Sequence, residues 1–210
     1  MSANLAATDR PAISDRAVAS LQRAVDTGYR EARKAFLFNE DFAGQGAELS
    51  PFTRAIDAWK RRQAACIDNR CRLAELTEQR DRLNFANGTG KRPISGMPWR
   101  TGSFILSATA MAGTMSILPV GDGSIVVTVT TFGTKGRDWD CAGFTATGTL
   151  SRNGYGRMTL YDEDPDGPPL TFTLQALSPT STRLSSDSAQ GYDDICRTGT
   201  IFGTYKAAGS

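Results

Sequence analysis

The sequence predicts an α+β protein: an amino-terminal helical hairpin or three-helix unit, followed by an antiparallel β-barrel or meander of about eight strands. Three observations predict it. Apolar residues in the front part recur at steps of three and four, the period of one helix face. In the back part they recur at steps of two, as on a strand with one buried face. Between the two lies Gly88-Thr89-Gly90-Lys91-Arg92-Pro93, a polar, turn-forming stretch. The expected organisation is therefore a helical module over 1–87, a linker over 88–98 and a β domain over 99–210.

The first helix opens at Ser14, a hydroxyl suited to capping, with Asp15 beside it at the positive helix end. Val18, Leu21, Val25, Tyr29, Ala32 and Phe36 form its apolar stripe, and Arg16, Arg23, Glu31 and Lys34 the opposite face. Gly44 and Gly46 end it. Ser50-Pro51 opens a second helix, with Pro at the first helical position and Phe52, Ile56 and Trp59 inward. A third is expected from about Arg72, with Leu73, Leu76 and Leu83 inward.

The strands follow from alternation and turns. Leu170–Ala176 alternates apolar with polar residues, and Phe144–Leu150 sets Phe144, Ala146, Gly148 and Leu150 against Thr145, Thr147 and Thr149. Asn153-Gly154 predicts a two-residue hairpin turn into Arg157–Tyr161. Gly121-Asp122-Gly123 turns Thr114–Pro119 into Ile125–Phe132. Further strands are expected near Ser103–Ala108, Arg183–Ser186 and Thr200–Tyr205.

Composition bounds the function. The chain has 210 residues, with 40% hydrophobic and 22% charged, an ordinary balance for a protein with a core. The net charge of +2 indicates neither nucleic acid nor a membrane surface. From Met97 onward there are 8 Lys/Arg and 10 Asp/Glu, against 16 and 12 before it, so the two parts offer different surfaces. There is no histidine, which excludes Ser-His and Cys-His nucleophile pairs and histidine-ligated metal hydrolysis. No stretch is long and apolar enough to cross a bilayer as a helix. The first eleven residues, Met1 to Pro11, hold no apolar core of a signal peptide. The chain reads either as cytosolic or as an exported protein shown without its leader.

The cysteines separate those readings. Cys66 and Cys71 flank the expected turn between the second and third helices, close enough in sequence for a disulfide. Cys141 begins a strand and Cys196 shortly precedes the last; a bridge there would close a loop of about 55 residues and contribute ~4 kcal/mol by loop entropy. A zinc site of four thiolates would need two close pairs, and Cys141 and Cys196 are not one. Four unpaired thiols in a cytosolic protein are the plainer alternative. One pair within each unit favours two bridges, and bridges favour export to the periplasm or beyond.

The helical segment also carries a pattern. Leu21-Gln22-Arg23-Ala24-Val25 with Tyr29 is followed by Trp59-Lys60-Arg61-Arg62, then Cys66, Cys71-Arg72-Leu73, Arg80 and Leu83. Over about residues 18–83 this resembles the amino-terminal module of the LprI-like lysozyme inhibitor family. Trp139-Asp140-Cys141, Gly148-Thr149-Leu150, Cys196 and Gly203-Thr204-Tyr205 resemble the β domain that many such proteins append. The resemblance implies an envelope protein that inhibits lysozyme, or a related peptidoglycan hydrolase, by occlusion. It implies no catalysis and no cofactor.

An inhibitor of that kind would push a rigid loop into an acidic cleft and surround it with an acidic rim. Lys135 and Arg137, in Gly133-Thr134-Lys135-Gly136-Arg137-Asp138, are the candidate cations, and Asp162, Glu163, Asp164 and Asp166 the candidate rim. Each group also reads as a solvated turn. The acidic run matches the opening of an EF-hand loop, but its twelfth position is Thr173, not Glu, and Pro168-Pro169 interrupts it, so no metal is expected. As a glycosidase pair its spacing is not legible, and Tyr161 alone stands beside it as a sugar platform. Arg61, Arg62, Arg70 and Arg72 surround the first cysteine pair. They read either as a site for anionic polymer or phospholipid, or as a solvated face with Glu75, Glu78 and Asp81 as partners. Trp59 is expected in the core with Tyr29 and Phe52, and Trp99 and Trp139 at the β domain's mouth or as its plug. The alternatives to inhibition are a non-catalytic module with a small apolar or glycan ligand in the β cup, or a structural envelope protein.

Overall fold

The computed structural model describes residues 14–37, 51–107, 111–133, 144–160, 170–186 and 201–209. Three helices, α1 (Asp15–Leu37), α2 (Pro51–Ala64) and α3 (Asn69–Ala86), precede eight strands. These are β1 (Ser103–Ser107), β2 (Met111–Gly121), β3 (Ser124–Gly133), β4 (Phe144–Leu150), β5 (Tyr155–Leu160), β6 (Leu170–Ser178), β7 (Ser181–Ser186) and β8 (Gly203–Ala207). Each strand pairs antiparallel with the next, and β1 pairs with β8, so the sheet closes into an up-and-down barrel. Closure removes the sheet edges that an open meander would expose.

The helices begin where the local chemistry directs. The Ser14 hydroxyl accepts from the Ala17 N–H at 3.3 Å. The third helix starts earlier than expected from the apolar spacing, at Asn69 rather than about Arg72. The reason is Asp68, whose carboxylate accepts from the Cys71 N–H at 2.8 Å and caps the helix. Cys71 therefore sits in the first turn of α3.

Two β-turns show opposite outcomes. Between β2 and β3, Asp122 (φ 50°) and Gly123 (φ 76°) occupy the two positive-φ sites of a tight hairpin in which Gly121 faces Ser124. Between β4 and β5 the expected two-residue Asn153-Gly154 turn is not formed. β4 ends at Leu150 and β5 begins at Tyr155, leaving a four-residue connection, and Gly154 alone takes positive φ there. The longer turn lets Gly154 settle against Pro98 and accept a hydrogen bond from the Ala176 N–H at 3.0 Å. The last strand also lies slightly later than expected, beginning at Gly203.

Alternation decides the core. Phe104, Met115, Ile117, Val127, Val129, Phe144, Met158, Phe172, Leu174, Leu184 and Tyr205 form one buried cluster inside the barrel. The Phe144 and Phe172 rings stack there at 4.6 Å. A second cluster holds Val25, Phe36, Phe52, Ile56, Trp59, Leu76 and Leu83 of the helices together with Leu118 and Val126. Those two strand residues alternate with the interior set, so they face outward, under the helices. The helical unit thus packs on the outer wall of β2 and β3.

The expected linker is pinned. Ile94 and Met97 pack on the barrel cluster. Phe85, near the end of α3, belongs to the same cluster, and its carbonyl accepts from the Gly102 N–H at 2.8 Å.

Candidate functional site

The barrel has two unlike ends. At one, the strands join through the short turns after β2, β4 and β6. Trp99, buried to 1% exposure, packs edge-on against Phe104 and fills this end with Phe85. Of the two roles open to Trp99, lining or plugging, it plugs. Trp139 lies outside the described residues.

At the other end, Ser107, Met111, Gly133, Phe144, Leu160, Leu170, Ser186 and Gly203 form the rim. The cationic candidates Lys135 and Arg137 belong to the connection from Gly133 to Phe144, and Asp162, Glu163, Asp164 and Asp166 to the connection from Leu160 to Leu170. All six lie outside the described residues, as do Cys141, Cys196 and Tyr161. The described part establishes that both connections start and finish on one rim, from the neighbouring hairpins β3–β4 and β5–β6. One inward polar group near that rim was not legible in the sequence. Thr131 is 6% exposed, and its Oγ1 has no hydrogen-bond partner among the described residues. It sits in a run of strand threonines, and nothing in the run marks it out.

Between plug and rim, the interior is filled. The stacked phenylalanines and the methionines, valines and leucines around them are at most 5% exposed. An eight-stranded barrel is just wide enough for its own side chains.

A cleft of about 320 Å³ lies at the foot of α3, lined by Arg80, Asp81, Asn84, Thr89, Gly90, Lys91 and Arg92. Arg80 forks onto one carboxylate oxygen of Asp81, at 2.9 Å from Nε and 2.6 Å from Nη2. Lys91 and Arg92 have no ion-pair partner among the described residues, so the cleft's lining leans cationic. Sequence reading treats this stretch as linker and misses the concavity, because the cleft forms only where the linker folds back along α3.

At the far end of α3, Cys66 and Cys71 form a disulfide with Cα atoms 5.4 Å apart, as expected. It ties the end of α2 to the first turn of α3. The expected partners of the arginine cluster are in place only in part. Arg62 meets Glu75 at 3.3 Å, while Glu78 and Asp81 are taken by Arg82 and Arg80. Trp59 is buried as expected, but its indole N–H donates to the Val120 carbonyl of the barrel at 3.1 Å. Tyr29 and Phe52 stack on each other at 5.8 Å. Among the described residues no three Cys, Asp or Glu side chains gather as metal ligands would; the acidic run is not among them.

Among the described residues no helix is long and apolar enough to cross a membrane. No protein-family model, curated protein or solved structure matches this chain.

Proposed function

We propose that the protein is an exported bacterial envelope protein that binds lysozyme or a related peptidoglycan hydrolase and blocks its cleft, without catalysis of its own. The observation that carries this reading is a barrel closed on itself, filled inside and plugged at one end. Such a body offers a surface rather than a chamber. The connections bearing Lys135 and Arg137, and Asp162 to Asp166, both return to its one remaining end. Cations on a connection rooted in a closed barrel suit an acidic cleft, and carboxylates on a connection rooted in the same rim suit the cationic outer surface of such an enzyme. The Cys66–Cys71 bridge supports an oxidising compartment. The resemblance of residues 18–83 to LprI-like inhibitors names the target class.

The rival reading, a cup for a small apolar ligand, loses ground to the packed interior, since such a ligand would have to displace core side chains.

The test is inhibition of several lysozymes by the non-reduced protein. Inhibition at micromolar excess is expected, with Lys135→Glu/Arg137→Glu weakening it by tenfold or more. If micromolar excess slows none of them, the reading is wrong.

A further inference from the structure

The turn between α2 and α3 carries an apolar side chain with nowhere to go. Ile67 is 96% exposed, far more than any other large hydrophobic residue described. Isolated exposed apolar residues are common and need no explanation. This one is set apart by two further facts. It stands inside a covalent ring, Cys66 to Cys71, whose second half is also fixed by the Asp68 cap. Its surroundings are strongly cationic: residues 60–72 hold five Lys/Arg against one carboxylate, Asp68, which is occupied as the cap. Lys60 is drawn to Asp57 and Arg62 to Glu75. Arg61, Arg70 and Arg72 are exposed and have no ion-pair partner among the described residues. The first turn of α1 lies alongside and brings a second carboxylate, with Asn69 Nδ2 donating to Asp15 Oδ1 at 2.8 Å, which leaves the arginines in excess.

We propose that this tip of the helical unit docks on an anionic phospholipid surface, with Ile67 entering the boundary between headgroups and acyl chains and Arg61, Arg70 and Arg72 meeting lipid phosphates. The charge of the tip selects an anionic partner. Its shape selects the lipid: a single apolar knob on a convex, braced turn needs no matching pocket in a soft interface. Guanidinium groups beside the knob fall at the phosphate level when it is inserted. The site lies on the helices and not on the barrel rim, so it is independent of the proposed inhibition. A protein holding both would sit at a membrane with its rim free.

The experiment is co-sedimentation of the disulfide-intact chain with two kinds of vesicle, neutral phosphatidylcholine and phosphatidylcholine mixed with phosphatidylglycerol, at low and high salt. Binding is expected only to the mixed vesicles, and to weaken as salt rises. Ile67→Ser should lower the affinity roughly tenfold, the loss of one buried aliphatic side chain. Arg61→Gln/Arg70→Gln/Arg72→Gln should lower it on the order of 100-fold. Both variants change side chains at the solvent face, and circular dichroism checks that they keep the fold. In Ile67→Trp, emission from the added indole should move to the blue on mixed vesicles. Absence of binding to mixed vesicles overturns the proposal, as does binding that Ile67→Ser leaves unchanged. Lysozyme inhibition by the same variants is expected to be unaltered, so failure here leaves the other reading standing.

Discussion

Gly102 shows how a single residue couples the two parts of this protein. It lies between the helical unit and β1, donates its N–H to the Phe85 carbonyl at 2.8 Å and accepts from the Ile117 N–H at 2.6 Å. A Cβ there would meet the Ile117 carbonyl oxygen, and the Phe85 ring at 2.7 Å. Neither neighbour can withdraw: one is strand backbone and the other is sealed in the core. Gly102→Ala is therefore expected to destabilise the fold by about 1–3 kcal/mol, seen as a lower urea midpoint at unchanged slope. Gly123, by comparison, has only the Leu150 carbonyl near the position a Cβ would take, at 3.7 Å, and its constraint is its positive φ. In the sequence Gly123 stands in an expected turn, while nothing marks Gly102, which directly precedes an expected strand. The difference is tertiary, since it depends on which backbone runs behind each.

At the scale of elements, periodicity told most of the story. Ser14 and Asp15 and the stripe from Val18 to Phe36 mark α1, Pro51 opens α2, and alternation finds the strands, while Gly44, Gly46 and Ser50 lie outside the described residues. What escaped was decided by contact between elements. Asp68 falls before the expected start of the third helix at about Arg72, because the apolar spacing of α3 begins later; its capping role depends on the disulfide turn that presents it. Asn153-Gly154 has the composition of a tight turn, yet the chain takes a wider one so that Gly154 can lie on Pro98. The same reasoning locates the staple's contribution. Cys66 and Cys71 are five apart in sequence, so the bridge removes only a small loop from the unfolded chain. Its loss through Cys66→Ser/Cys71→Ser is expected to cost about 2 kcal/mol by loop entropy. Thermal melts should show that loss as a lower midpoint of the one transition, with helices and strands both still formed at room temperature. A fully unfolded double variant would contradict this.

For the whole molecule, the decisive feature is that helices and barrel share their interior. Leu118 and Val126 belong to strands yet complete the helical core, and Phe85 belongs to a helix yet sits in the barrel core. The sign was present in the sequence as broken alternation: Ile117-Leu118 and Ile125-Val126-Val127 are apolar on both faces, as strands buried on both sides must be. A barrel facing water on its outside would carry polar residues at those two positions. The candidate loops left no comparable sign, because a loop's charges read the same whether they meet a partner or solvent. The shared core carries a prediction that two separate modules would not obey. Heat or urea should unfold the native chain in one transition, with helical circular dichroism and tryptophan emission coincident, since Trp59 and Trp99 report on the two cores. Leu118→Asp places an unpaired charge beneath the helices and leaves the barrel interior untouched. It should part the two probes, with the helical signal lost first while Trp99 stays buried in its closed barrel. If the probes stay coincident in Leu118→Asp at a merely lower midpoint, the barrel depends on the helices outright, and Phe85 in its plug is then the contact that makes it so.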